Sequence, residues 1–130
     1  MKSRKIVYWI TTALTAFVFI SGGVFDIARP DFVMKGMAHL GYPVYFVVIL
    51  GVWKTLGGLV ALAPRMPLVK EWAYAGMLFD LTGATASHAS VGDPAIRIAT
   101  PIIILCIVIT SWALRPTSRR ICGGSINPVI

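Results

Sequence analysis

Four long stretches of this chain carry almost no charge, and they constrain its fold more than any motif does. Residues 6–25 form a run of 20 without Lys, Arg, Asp or Glu. As an α-helix such a run extends about 30 Å, the thickness of the hydrocarbon core of a bilayer. A second run, 42–63, is broken only by Lys54, a third, 72–89, only by Asp80, and a fourth, 98–114, by nothing. Each is roughly twice the length of a membrane barrel strand and lacks strict alternation of polar and apolar residues, so helices are predicted. The expected fold is all-α: an integral membrane four-helix bundle with spans near 6–25, 42–63, 71–89 and 96–114, forming one domain over 1–115 with a tail over 116–130.

Composition points the same way. Of 130 residues, 57% are hydrophobic and 13% charged, about half the charged share of a soluble domain. Soluble enzyme folds are excluded on this ground. The 12 basic residues outnumber the 5 acidic ones, and their placement is lopsided. Lys2, Arg4, Lys5, Arg65, Lys70, Arg115, Arg119 and Arg120 all fall on one side of the proposed spans; Arg29, Lys35 and Arg97 fall on the other with Asp26, Asp31 and Asp93. The excess of Lys and Arg on the cytoplasmic side of membrane proteins then predicts cytoplasmic termini and a multi-pass protein of the cell inner (plasma) membrane. It also accounts for the net charge of +7 without a nucleic-acid partner.

The first run exceeds the 7 to 15 residues of a signal-peptide core, and Ser21, Gly22 and Gly23 suit close helix packing, so it is expected to stay as the first helix. Turns are expected at Arg29-Pro30, Gly41-Tyr42-Pro43, Pro64-Arg65-Met66-Pro67 and Gly92-Asp93-Pro94. Residues 31–40 fit a short interfacial helix acting as a connector or a lid, and Pro101 falls near the first turns of the last span. Cys106 and Cys122 form no C-x-x-C pair, which disfavours thiol redox chemistry; Cys122 is either a plain tail residue or a juxtamembrane acylation site.

Lys54 and Asp80 are the costly residues, at about 2.5 to 3.5 kcal/mol each for insertion at mid-bilayer. Lys54 lies nine residues before Ala63 and Asp80 nine after Glu71, which places both about 14 Å from the cytoplasmic boundary on adjacent antiparallel helices. The expectation is a Lys54–Asp80 ion pair. Gly51, Gly57 and Gly58 flank one member and Gly76, Gly83 and Ala84 the other, small residues that allow helices to approach closely. Asp80, Gly83, Ala84, Ser87 and His88 share one helical stripe running to the outer mouth, where Asp93, Asp26 and His39 are expected to join His88. Two readings stand: a pair that fixes helix register, or polar residues lining a cavity. No short ligand spacing supports a metal site, and Glu71 beside Trp72 reads as a helix N-terminal charge with an interfacial anchor.

The stretch Glu71-Trp72-Ala73-Tyr74-Ala75-Gly76-Met77, with Phe79-Asp80-Leu81-Thr82-Gly83-Ala84, Ser87-His88, Gly92-Asp93 and Gly51-Val52-Trp53-Lys54, resembles the signature of the DoxX-like family. The resemblance runs over roughly residues 6–115 and implies a small four-helix membrane protein. Wider relatives include a subunit of a thiosulfate:quinone oxidoreductase, a subunit of a membrane oxidoreductase complex and a receptor chaperone. Lys54, Glu71, Asp80, His88 and Asp93 match polar positions of the family pattern.

The leading functional expectation is a protein that binds a lipophilic molecule, a quinone or a lipid, in a polar intrabundle pocket and supports a redox complex, a membrane partner or a second copy of itself. Lys54, Asp80, Ser87, His88, His39, Asp26 and Asp93 would contact the ligand, with Glu71, Gly76 and Gly83 structural. No cofactor is required by these residues, with quinone and haem the candidates weighed. The alternative is a membrane-embedded isomerase or epoxide hydrolase with Asp80 and His88 as acid and base and Lys54 assisting. A third is conduction of protons or a small ion along the stripe.

Overall fold

A computed structural model of the chain describes residues 2–116 and Arg119; Arg120, Cys122 and the rest of the tail lie outside the described residues. The elements are α1 (Lys2–Ala28), α2 (Asp31–Leu40), α3 (Val44–Leu62), α4 (Pro67–Ser90) and α5 (Ala95–Ala113), with no strand among the described residues. The turns fall where proline and glycine were expected to put them. Arg29 closes α1 in the left-handed region at φ 58° and Pro30 prevents its continuation. Gly41, at φ 87°, ends α2: its N–H and that of Tyr42 donate to the Ala38 and Met37 carbonyls at 3.0 Å each. Glycine adopts this conformation at no steric cost, which makes it the usual helix terminator. Pro67 opens α4 at a position that has no helical partner for an N–H anyway.

α1, α4 and α5 are longer than their charge-poor runs, while α3 is shorter than its own. α1 continues past Phe25, so that Asp26 is a helix residue, and α4 begins four residues before Glu71. Pro101 is the seventh residue of α5, buried in its second turn, near the start of the helix as expected. α1, α3 and α5 are long and apolar enough to cross a membrane. This is one fewer than expected, because α4, with 24 residues, carries Asp80, Thr82, Gly83, Thr85, Ser87, His88 and Ser90 in its second half. Those polar residues lower its hydropathy without shortening it.

α1 packs on α3, α3 on α4, α4 on α5 and α5 back on α1, a closed ring with α2 outside it. The start of α1 and the end of α5 share one end of the bundle, since Arg4 Nη2 donates to the Ala113 carbonyl at 3.5 Å. We call this the terminal end. α2 and the α4–α5 loop lie at the distal end, joined by a His39–Asp93 contact. Large apolar side chains such as Ile6, Phe17, Trp53, Trp72, Phe79 and Ile96 project outward, while Thr12, Thr15, Asp26, Lys70, Ser111, Arg115 and Arg119 are buried. A water-soluble fold distributes these classes the other way. A surrounding of acyl chains makes the arrangement stable, and the chain is a membrane protein.

The tightest seam is α1 against α3. Ala16, Ile20 and Gly23 on α1 face Gly51, Thr55 and Gly58 on α3, each set spaced by four and then three residues along one helical face. A Cβ at Gly51 would stand 2.7 Å from the Gly23 carbonyl oxygen and 2.9 Å from Asp26 Cβ, and one at Gly58 would stand 2.6 Å from Ile20 Cγ1. Backbone contact of this kind allows van der Waals attraction over a long seam where no hydrophobic effect operates between helices. Gly76 and Gly83, by contrast, face open space. Gly51→Leu is therefore expected to lower the melting temperature in detergent sharply, whereas Gly76→Ala should leave it unchanged or raise it, since alanine exceeds glycine in helix propensity by about 1 kcal/mol. Equal losses for the two variants would contradict this packing.

Candidate functional site

Lys54 leaves α3 toward α1 and the distal end. Its stem crosses the bare face of Gly22, where a Cβ would lie 3.4 Å from Nζ, and Nζ donates to Asp26 Oδ2 at 3.2 Å. Both side chains are largely withdrawn from the surface, at 19% exposure for Lys54 and 6% for Asp26. This corrects the expected Lys54–Asp80 pair. Asp80 makes no hydrogen bond or ion pair among the described residues, although it is near enough to feel the charges of Lys54 and Asp26. The depth count failed because α4 starts at Pro67. Asp80 is 13 residues, about 20 Å, from that start, and Lys54 is 8 residues, about 12 Å, from the end of α3 at Leu62. The two residues are therefore at unequal distances from the facing ends of their helices, 8 residues against 13. Asp26, expected at the outer mouth beyond the charge-free run that ends at Phe25, is a buried member of α1 instead.

Lys54 and Asp80 sit where two cavities meet. One, of about 280 Å³, is a groove between α3 and α4 whose walls include Trp53, Gly57, Trp72, Ala73 and Met77. The other, of about 510 Å³, runs toward the distal end between Tyr42 and Phe46, the Asp80, Gly83, Ala84 and His88 stripe of α4, and Pro101 and Ile104 of α5; Met37 and Leu40 of α2 roof it. The stripe read from the sequence does line a cavity, with Ser87 at its edge bonded to the Tyr42 hydroxyl. Asp80 and His88 do not touch, being eight residues and about 12 Å apart along one helix.

At the distal end Asp93 receives Nδ1 of His88 at 2.6 Å on one carboxylate oxygen and Nε2 of His39 at 2.7 Å on the other. His39, His88 and Asp93 therefore converge as expected, and Asp26 does not join them. Their pattern is a carboxylate holding two rings, and among the described residues no group of three His, Cys, Asp or Glu is placed to hold a metal ion. The hydrogen bonds from His88 and then His39 hold the Asp93 carboxyl below the usual carboxylate range. This contact ties α2 to the α4–α5 loop.

The terminal end holds a network that sequence reasoning missed. Ser111 of α5 bonds the Tyr74 hydroxyl of α4 at 2.8 Å and Thr12 of α1 at 2.6 Å. Lys70 donates to the Val60, Ala61 and Ala63 carbonyls at the end of α3, and Arg119 donates to the Ala61 and Leu62 carbonyls and to Tyr8 Oη, the last at 3.1 Å. Cations that satisfy the last carbonyls of a helix also oppose its dipole. Glu71 is more than a helix-start charge: it accepts from Trp112 Nε1 at 3.0 Å and pairs with Arg115 at 2.6 Å. Single Ser, Thr and Tyr residues in apolar runs carry no spacing signal. The eight-residue basic count signalled only orientation.

A ring of long helices with lipid-facing apolar surfaces and inward ionisable residues defines a small polytopic membrane protein. A family model, that of the DoxX-like family, matches residues 10–111, and the chain belongs to that family. No curated protein and no solved structure matches it. The polar residues that had suggested the family occupy three heights: Glu71 at the terminal end, Lys54 and Asp80 in the interior, His88 and Asp93 at the distal end.

Removing one member of a buried ion pair leaves the other uncompensated, at about 3 to 5 kcal/mol. Lys54→Met and Asp26→Leu should each destabilise the protein, and the double variant should recover most of the loss; a thermal-unfolding cycle should give a larger coupling for Lys54 with Asp26 than with Asp80. The distal contact predicts a pH effect. Because the folded-state pKa of Asp93 is depressed, its contribution is complete above the unfolded-state value and is lost as pH falls through the lower folded value. Unfolding measured from neutral to strongly acid pH should show this loss in the parent and not in Asp93→Asn.

Proposed function

We propose that this DoxX-like protein binds a lipophilic molecule, such as a quinone or a lipid, with its tail in the α3–α4 groove and its polar head at Lys54 and Asp80. The observation that carries this reading is the position of those two side chains at the inner end of a groove otherwise walled by apolar residues. The groove mouth lies between Trp53 and Trp72, both more than 60% exposed and both on the outer face of the bundle. A ligand dissolved in the bilayer would reach it sideways without crossing water. In this reading α4 crosses the membrane as a fourth span, because it packs between α3 and α5 along the ring and connects the terminal end to the distal end. Asp80, Thr85, Ser87 and His88 are partly withdrawn from the surface and the exposed Thr82 and Ser90 hydroxyls donate to the Leu78 and Ala86 carbonyls of the same helix, which offsets its low hydropathy. Both termini are then on one side, and the basic residues collected at the terminal end make that side the cytoplasmic one.

Lys54 supplies a donor and a positive charge, already engaged by Asp26, and Asp80 supplies an acceptor that has no hydrogen bond or ion pair among the described residues. Such a centre suits a head group that both accepts and donates hydrogen bonds. The acid–base alternative draws less support, since His88 Nδ1 is committed to Asp93 and stands two turns from Asp80.

Gly76 lines both cavities and has open space around it, so Gly76→Leu should fill the site without disturbing the backbone. The test is mass spectrometry of small molecules that copurify with the protein from its native membrane. A lipophile retained by the parent should be depleted at least about tenfold, or 1.4 kcal/mol, in Gly76→Leu and Lys54→Met at unchanged melting temperature for the former. Identical lipid profiles in all three proteins would refute the proposal.

A further inference from the structure

The groove explains how an apolar molecule would arrive at Lys54 and Asp80, but it leaves the larger distal cavity without a role. That cavity has polar groups at its two ends and little between them. Tyr42 and His88 stand at the distal mouth, and Asp80 and Lys54 stand at the bottom. Gly83 and Ala84, the stripe residues between Asp80 and His88, are too small to close the column, and a Cβ on Gly83 would meet nothing within 4 Å. At about 510 Å³ the cavity is large enough to admit water. Asp80 faces this space with no hydrogen bond or ion pair among the described residues, and such a carboxylate is tolerable inside a membrane only if water or a ligand solvates it.

We propose that the distal cavity is a hydrated access route from the distal surface to the Asp80 carboxylate, through which the head group of a bound lipophile exchanges protons with the distal compartment and not with the terminal one. This rests on the ligand reading above and adds to it a sidedness and a ligand class: a head group with an exchangeable proton, such as a phenol, a quinol or an amine. The charged and titratable groups around Asp80 permit that role. Lys54 of α3 and Asp26 of α1 are paired with each other, His88 of its own helix is held by Asp93, Tyr42 bonds Ser87, and α5 presents only Pro101 and Ile104. Asp80 is thus the carboxylate left to take up or release a proton in step with the ligand. On the terminal side the interior between α1, α4 and α5 is filled by the hydrogen-bonded Thr12, Ser111 and Tyr74 and by the buried Tyr8, Lys70 and Arg119, and the α3–α4 groove that runs that way, to Val60 and Val69, is walled by apolar residues.

Thiol accessibility tests the route without a ligand. In a Cys106→Ser, Cys122→Ser background, Gly83→Cys, Ala84→Cys and Asp80→Cys are each reconstituted in sealed vesicles and treated with a membrane-impermeant methanethiosulfonate. Lys35→Cys, exposed on α2, marks the distal face, and Ala86→Cys, exposed on the outer side of α4, marks a lipid-facing thiol. The thiolate attacks the thiosulfonate sulfur to form a mixed disulfide with release of methanesulfinate, and a thiolate forms only where it is hydrated, so the cavity positions should react at least about tenfold faster than Ala86→Cys. They should react from the face that labels Lys35→Cys. Labelling from the opposite face, or no labelling above the Ala86→Cys level at all three cavity positions, overturns the route. Either result leaves the lipophile site standing, while unchanged copurification profiles would remove the ligand and leave a labelled route intact.

Discussion

The ammonium group of Lys54 is the constraint around which the interior is arranged. An isolated charge in a medium of low dielectric constant is too costly to persist, so a lysine well inside α3 must find an anion or reach water. It finds Asp26, and it can do so only because Gly22 leaves its path clear and because α1 and α3 touch backbone to backbone at Gly23, Gly51 and Gly58. The seam and the ion pair support each other: the glycines bring the helices within the reach of a lysine side chain, and the pair holds their register. A bulkier seam would separate the charges and strand both.

Once Lys54 is turned toward α1, Asp80 is left facing the cavities. Its partial isolation follows from the helix register and not from any feature of its own neighbourhood, since Gly76, Gly83 and Ala84 would have allowed a partner to approach. The polar residues of the bundle then separate into a closed terminal end, a partly compensated interior and a distal clasp. The closed end is held by hydroxyls and by cations on the last carbonyls of α3. The distal clasp depends on one carboxylate accepting from two rings on different elements, and it keeps α2 across the mouth of the larger cavity. A lateral apolar groove and an axial column that meet at one carboxylate are what a site needs if it is to serve a ligand from the lipid and a proton from water.

Much of the fold could be read from residue order alone. The charge-poor runs locate α1, α3 and α5, the Pro and Gly clusters locate the turns, and residues 31–40 form the short helix that their pattern suggests. The spacing of Asp80, Gly83, Ala84 and His88 places them on one face, and that face does line a cavity. His39, His88 and Asp93 meet because short connections leave them nowhere else to go. Helix periodicity and the cost of burying charge suffice for all of this, being local properties of a chain in lipid.

The partner of Lys54 was a different kind of question. Hydropathy marks where charge begins, whereas a helix ends where its hydrogen bonds end, and the two boundaries differ by one turn at the start of α4 and by three residues at the end of α1. The extra turn at the start of α4 changes the depth expected of Asp80, and the three residues at the end of α1 bring Asp26 into the interior beside Lys54. The Thr12, Ser111 and Tyr74 contacts were likewise beyond sequence reading, since three hydroxyls on three helices meet only when the ring closes. Chain order determined which residues must avoid lipid; packing of α1 on α3 decided which of them touch, because side-chain pairing depends on the relative height of two helices and no single helix encodes it.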